Sequence, residues 1–249
     1  MRFLSNDDSR VIGALQVKWA SGKVTATGTD GFGLCRSTVQ GKSQAEGRAL
    51  ITCRSAAALG VLTQRAGDEL LTLSASGEKF TAQAGPDRLW ASQRTGNYPD
   101  VSELLKATQS VKVTGQVEFR AFQKSVERSL KAMLDEKDRY GASAILTAVS
   151  GQLTITFEAP EVGSGQAHLP YANDGAEPLS AAFNLTILEN MLSGLRSVYK
   201  GLKACQLSLN GPASPMVLGQ LPSTARCWRW SCRWYRRKGT LQRNQPVRR

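Results

Sequence analysis

"ASGKVTAT", Ala20 to Thr27, returns as "VSGQLTIT", Val149 to Thr156, at an offset of about 130 residues. Both read as a β-hairpin, a small Ser-Gly turn followed by a strand. The match extends outward from there. "FLSNDDSR" (Phe3 to Arg10) stands at the same offset from "MLDEKDRY" (Met133 to Tyr140), and "LITCRSAAALGVL" (Leu50 to Leu62) matches "LSAAFNLTILENML" (Leu179 to Leu192). Three matching segments in one order mean two copies of one domain. The period is too long for a solenoid, whose units run about 20–50 residues. Duplicated domains build quasi-symmetric objects, which favours an assembly over a lone pocket.

The chain of 249 residues divides into two domains, each large enough to bury its own core. No apolar run approaches the ~20 residues of a membrane span, so no membrane is expected. Asp7, Asp8 and Ser9 interrupt any signal peptide at the N-terminus. The five cysteines (Cys35, Cys53, Cys205, Cys227, Cys232) are odd in number and include no C-x-x-C pair. That pattern suits reduced thiols in a cytoplasm. The net charge of +12 points toward nucleic acid. Its distribution qualifies this: from Gly219 onward there are nine Lys or Arg and no acid, which leaves 23 basic against 20 acidic residues, a net of +3.

Val11 to Val17 and Val24 to Thr27 read as strands around Ser21-Gly22, followed by a loop, "GTDGFG". Leu50, Ile51 and Cys53 read as a short strand and Arg54 to Gln64 as a helix. Leu70 to Leu73, Phe80 to Ala82 and Leu89 to Ser92 read as further short strands, and "GNYPD" (Gly96 to Asp100) as the link between copies. From Glu118 to Leu134 the spacing predicts an amphipathic helix. Phe122, Val126, Leu130, Met133 and Leu134 make its apolar stripe, and Arg120, Lys124, Arg128 and Lys131 a separate basic stripe. Strands follow near Ser143 to Val149 and Leu153 to Phe157, then a Gly- and Pro-rich loop over Gly163 to Pro178. A helix over Leu185 to Tyr199 and strands at Cys205 to Leu209 and Met216 to Leu218 complete the copy. Helices mixed with short antiparallel strands make each copy α+β. The first copy has no counterpart to the helix at Glu118 to Leu134.

This duplicated order resembles the bacterial DNA polymerase III beta subunit, the replication sliding clamp. "TDGFGL" (Thr29 to Leu34) is similar to the family's T-D-G-H-R-L, "YPD" (Tyr98 to Asp100) to the F-P-D that opens its third domain, "FNLTIL" (Phe183 to Leu188) to its F-N-x-x-Y-L helix start, and "SPM" (Ser214 to Met216) to a late strand. The resemblance covers most of the second and third of three clamp domains. It implies repeated clamp domains, with helices lining one face and antiparallel sheets outside. Residues 1–97 would be a second domain lacking its first helix, and residues 98–218 a third domain.

The implied function is that of a processivity factor: a ring-forming homo-oligomer that encircles double-stranded DNA without sequence preference, and an accessory subunit of DNA polymerase III with no active site or cofactor of its own. Arg120, Lys124, Arg128 and Lys131 are then the DNA-facing residues, since cations on long side chains attract phosphate without reading bases. The resemblance also implies a pocket that receives peptides from DNA polymerase III, the clamp loader and other clamp-binding proteins. Its wall, carried over by motif, is Thr29, Gly31, Phe32, Leu34, Pro99, Ile187 and Met216. Three departures make it less basic: Phe32 replaces the family's His, Gly33 its Arg, and Glu103 falls near a usually basic position.

Signals of catalysis are weak. Gly28, Gly31 and Gly33 surround Asp30, but the spacing lacks the Walker lysine and the Rossmann pattern, and a tight turn explains it. His168 is the only histidine and has no partner motif. The acidic clusters at Asp7-Asp8 and Asp135 to Asp138 recur in both copies, which fits a helix-end role, and there is no zinc-spaced ligand set.

The tail "ARCWRWSCRWYRRKG" (Ala225 to Gly239) interleaves Arg with aromatic residues, a pattern of nucleic-acid or membrane-surface contact. An alternative function is therefore a small basic nucleic-acid-binding protein acting through that tail. Yet the same stretch, read from each codon's third base with GC-rich codons, permits Val-Leu-Ala-Val-Val-Met-Pro-Val-Val, a clamp-like last strand. The expectation is a frameshift near Leu218 to Leu221, with 219–249 a non-native or disordered tail. The chain is also expected to be a clamp fragment. Two-domain subunits could close six domains only as a trimer, so the chain is expected to be at best a monomer with an exposed sheet edge.

Overall fold

The computed structural model describes residues 11–42, 45–108, 112–133, 142–159, 163–173, 177–199, 201–212, 214–219 and 228–232. The repeat segment Phe3 to Arg10, nearly all of its partner at Met133 to Tyr140, Leu134 of the apolar stripe, both acidic clusters and most of the tail lie outside these residues.

A short 3-10 turn, Val11–Gly13, precedes β1 (Leu15–Ala20) and β2 (Lys23–Thr29). The two strands pair antiparallel across Ser21-Gly22, whose φ angles are 50° and 72°. Positive φ at both positions gives the turn whose twist matches the strands it joins. β3 (Gly33–Gln40) pairs with β2, and β4 (Gly47–Ile51) pairs with the other edge of β1. Thr52 then caps α1 (Cys53–Ala66), its Oγ1 accepting the amide of Ser55 at 3.2 Å. Cys53, expected in a strand, is thus the first helical residue, because Thr52 satisfies an otherwise unpaired helix amide. β5 (Leu71–Ser76), β6 (Lys79–Ala84) and β7 (Asp87–Ser92) form a separate three-stranded sheet.

After the link, α2 (Ser102–Ala107) and β8 (Val113–Glu118) precede α3 (Phe119–Met133). β9 (Ser143–Val149) and β10 (Gly151–Ala159) repeat the hairpin, pairing Val149 with Gln152 across Ser150-Gly151. β11 (Gly163–Asn173) pairs with β10 along its length, and β12 (Leu179–Asn184) pairs with β9. Asn184 caps α4 (Leu185–Val198), its Oδ1 accepting the amide of Ile187 at 3.0 Å. β13 (Ala204–Leu209), β14 (Met216–Gly219) and β15 (Trp228–Cys232) complete the described chain.

Residues 163–173, expected as part of a loop, are a strand. Leu169 and Tyr171 are buried while the residues between and beside them are more exposed, the period of two that a half-buried strand requires. The glycine that disguised it has a packing role, since a Cβ at Gly165 would run into the ring of Phe157.

The two copies correspond element by element. β1 to β4, α1 and β5 to β7 run in the same order as β9 to β12, α4 and β13 to β15, and the strands pair in the same pattern. All of these pairings are antiparallel, so the fold is α+β with repeated units. β8 and α3 have no counterpart among the described residues of the first copy. In the second copy β8 lies between β11 and β13 and fuses the strands into one sheet. In the first copy the corresponding strands stay in two sheets.

β15 lies between β14 of the second copy and β3 of the first, so a twelve-stranded sheet runs through both. This differs from the expectation of a disordered tail: Trp228 to Cys232 are a paired strand. Each copy keeps its own core, one around Phe122, Leu146, Leu188 and Met191, the other around Val17, Ile51, Leu62 and Phe80.

Candidate functional site

α3 starts where Glu118 ends β8. The Glu118 carboxylate accepts the amides of Arg120 at 3.0 Å and Ala121 at 2.5 Å, which satisfies the first turn and places negative charge at the positive end of the helix. Phe119, Phe122, Gln123, Val126 and Ser129 are buried, and Leu130 and Met133 pack on the same core. At 3.6 residues per turn this buries one side of the helix. Arg120, Lys124, Arg128 and Lys131 fall together on another side, and all four are exposed. α3 packs against α4 and across the strands of the second copy.

Sequence reading passed over cations on the repeat-equivalent helices. Arg54 and Arg65 are exposed on α1, which contains no acidic residue, and Arg196 is exposed on α4. The signal was the duplication itself, since α1 and α4 are the same element in two copies.

The second candidate site lies where β2 turns into β3. Thr29 Oγ1 donates to the carbonyl of Gly33 at 2.6 Å and accepts the amide of Gly31 at 3.1 Å. Asp30 Oδ1 accepts the amides of Phe32 at 2.9 Å and Gly33 at 2.7 Å. The turn therefore consumes its own amides, and none of these is left to cradle a phosphate. Leu34 is buried, Gly31 and Pro99 are exposed, and the Phe32 side chain is 54% exposed.

The second copy reaches this turn through α4. A Cβ at Gly33 would lie 3.7 Å from Asp30 Oδ1 and 4.0 Å from Ile187 Cγ2, ordinary contact distances that leave room for a short side chain. Met216, fully buried, shares a cross-strand row with Gly33 through Cys232. Tyr98 is anchored by its hydroxyl, which donates to the carbonyl of Thr27 at 3.1 Å, and this fixes where Pro99 leaves the link. Gly33 and Ile187 thus meet at the junction of the two copies; Gly31, Phe32 and Leu34 adjoin Gly33 along the chain, Thr29 lies in the turn, Met216 lies in the same cross-strand row and Pro99 on the link. Ile12, which the sequence did not single out, belongs there too: a Cβ at Gly31 would lie 3.4 Å from its Cδ1. Glu103 forms an exposed pair with Lys106 at 2.8 Å, a contact worth little energy.

Burial pushes the thiols of Cys35, at this junction, and Cys205, in the second core, up to about 12 from 9.0. Above about pH 9 the unfolded chain gives up these protons while the folded chain keeps them. Stability is therefore full below pH 9 and falls as pH rises toward 12. At pH 8 the two thiols should resist alkylation until the chain unfolds, as peptide mass spectrometry with and without urea will show. Rapid native labelling of either residue would contradict this burial.

His168 shares a hydrogen bond with Thr154 Oγ1 at 3.1 Å through Nδ1 and lies in the open on β11. Among the described residues no group of three His, Cys, Asp or Glu could hold a metal, and no helix is long and apolar enough to cross a membrane.

The repeated hairpin, capped helix and three-strand unit, joined edge to edge through one sheet, define a duplicated clamp-type domain. The chain has the fold of the bacterial replication sliding clamp. It superposes on the DNA polymerase sliding clamp of Pseudomonas aeruginosa with a TM-score of 0.78 at 16% identity, covering 94% of this chain and 61% of that one. For the sliding clamp of Bacillus subtilis the values are 0.75, 18%, 94% and 60%, and for the DNA polymerase III beta subunit of Thermotoga maritima 0.77, 14%, 94% and 60%. The chain thus spans about 60% of the length of these clamps. No protein-family model and no curated protein sequence matches it.

Proposed function

We propose that this chain supplies two clamp domains, residues 1–97 and 98–218, to a sliding clamp that surrounds duplex DNA and tethers a polymerase to it. The observation that carries this reading is the exposed row Arg120, Lys124, Arg128 and Lys131 on a helix of a clamp-type fold. A ring must hold DNA without gripping it. Long, solvated cations attract phosphate at any sequence and let the duplex move beneath them.

In this reading the chain works as an accessory protein in the cytoplasm and not as an enzyme. Its partners are double-stranded DNA, DNA polymerase III, the clamp loader and other proteins with clamp-binding peptides. The exposed Phe32 and the half-buried Ile187, on either side of Gly33, which has no side chain, form an apolar anchor site suited to such a peptide. The loss of the family's Arg at Gly33 favours apolar peptide side chains over acidic ones.

The test is charge reversal. The variant R120E/K124E/R128E/K131E should lose affinity for duplex DNA, and the slope of log affinity against log salt should shrink by about four. The melting temperature should stay within a few degrees, because all four side chains are exposed. DNA affinity and salt slope equal to the unaltered chain would exclude α3 as the DNA-facing element.

A further inference from the structure

We propose that the outer face of the β5–β6–β7 sheet binds single-stranded nucleic acid, with an unpaired base stacked on Trp90 and its phosphates held by Arg88 and Lys79. The inference does not rest on α3 or on the clamp reading.

One face of this sheet is committed to the first core. Phe80, Ala82 and Ala84 are buried, Leu89 and Ala91 pack on the same cluster, and α1 lies against β6 and β7. The period of two sends the alternate residues outward. Those outward positions hold only Ser, Thr, Gln, Lys, Arg and Trp. No acid stands among them. Asp87 alternates onto the packed face, and Glu78 lies in the turn before β6.

Trp90 is 68% exposed on this face. Among the described side chains the exposed Phe, Tyr or Trp are Phe32, in a turn, and Trp90, on a sheet. The fold does not require it. Phe80 and Met216 are both fully buried, and they oppose Ala91 and Cys232 respectively. Trp90 therefore corresponds to Ser231 in the second copy, where the same strand forms without an aromatic residue at that position.

The cations flank the ring. Arg88 is exposed two residues before Trp90 on the same face, about 7 Å along the strand. Lys79 is exposed opposite Ser92, hence diagonal to Trp90 at about 7–8 Å on the other side. A nucleotide within a strand carries a phosphate on either side of its base, and Arg88, Trp90 and Lys79 present the complementary order. The surface beside the ring is fixed. Thr81, directly opposite Trp90, shares a hydrogen bond with Ser74 at 2.5 Å between their hydroxyls. Gln93 Nε2 donates to the carbonyls of Gly77 at 2.8 Å and Lys79 at 3.1 Å, which pins the β5–β6 turn. A surface already ordered spends less entropy on binding.

The combination selects the occupant. An acidic peptide would engage the two cations and leave the ring in water. An apolar one would cover the ring and leave both cations unpaired. A duplex offers phosphates but keeps its bases inside. An unpaired nucleotide uses all three side chains, because every base has a π-face and every link a charge.

The experiment titrates the full chain with a fluorescent oligo-dT of about 15 nucleotides, within the span of a single-strand groove, and with a duplex of the same length. Trp90→Ala should weaken the oligo-dT complex about five- to a hundred-fold and leave the duplex affinity unchanged. Trp90→Phe should keep most of the affinity. K79A/R88A should reduce the slope of log affinity against log salt for oligo-dT by about 1.4. All three side chains are exposed, so melting temperatures should stay within a few degrees. Irradiating the complex with a bromouracil-substituted oligomer should place an adduct on Trp90, read by peptide mass spectrometry, whatever other part of the chain the oligomer touches. Adducts only elsewhere would overturn the proposal, as would oligo-dT affinity unchanged in Trp90→Ala. An equal loss on duplex would also overturn it, because the contact would then be to the backbone and not to a base. Self-association lost in Trp90→Ala, with oligo-dT binding intact, would assign the face to a second copy of the chain instead. None of these outcomes bears on the charge reversal of α3, which is read on duplex.

Discussion

A chain ended at Cys232 should melt with the full-length chain, and one ended at Gly219 should melt roughly 10–20 °C lower. The difference is β15. Its five residues hold β14 of one copy to β3 of the other, and among the described residues no other strand spans that joint. Removing it opens both edges and uncovers residues beside them, among them Leu34 and Met216, which are 2% and 0% exposed in the intact chain. Burying a side chain of that kind stabilises by about 1.5–3 kcal/mol, so two cost about 3–6 kcal/mol when lost. For a chain of this size each kcal/mol moves the midpoint by about 2–4 °C. The same pair of truncations separates the two readings of the tail. Ending at Cys232 removes the basic cluster from Arg233 onward yet leaves the sheet intact. If DNA affinity vanishes in that chain, the contact lies in the tail and not on α3. If it persists and is then lost on reversing the α3 charges, the clamp reading stands.

The duplication was legible because it is written in turn chemistry. Ser-Gly before "KVTAT" and before "QLTIT" marks the same hairpin twice, and polar side chains at Thr52 and Asn184 mark the same helix start. The helix at α3 was legible from spacing alone. The elements that escaped notice are those whose pattern depends on a neighbour. β8 alternates Val113, Gly115 and Val117, but its centre is a glycine, and a Cβ there would come 2.5 Å from the Tyr171 ring. β11 has the same disguise at Gly165. β15 alternates Trp228, Trp230 and Cys232 with Arg229 and Ser231, a strand period that its basic composition hid. Of the candidate site, the turn at Thr29 to Gly33 could be read locally. Ile12 could not, because its place beside Gly31 comes from the fold and leaves no motif.

Phe122→Ala should destabilise the chain by about 3–5 kcal/mol and lower the urea midpoint by more than about 1 M. Phe122 is fully buried on α3, and truncating a buried aromatic leaves a cavity that the neighbouring core fills only in part. A loss of that size is a large share of a typical net stability of about 5–15 kcal/mol. Arg120→Ala, two residues earlier and exposed, should change stability by less than about 0.5 kcal/mol. The contrast bears on function as well as folding, because it fixes which side of α3 is committed to the core. If Phe122 is costly and Arg120 is not, the helix is held by one face and free to present the other. The DNA response of the charge-reversed chain can then be read without a change of fold behind it. If both substitutions cost the same, α3 is turned from the orientation described, and its four cations do not share an open face.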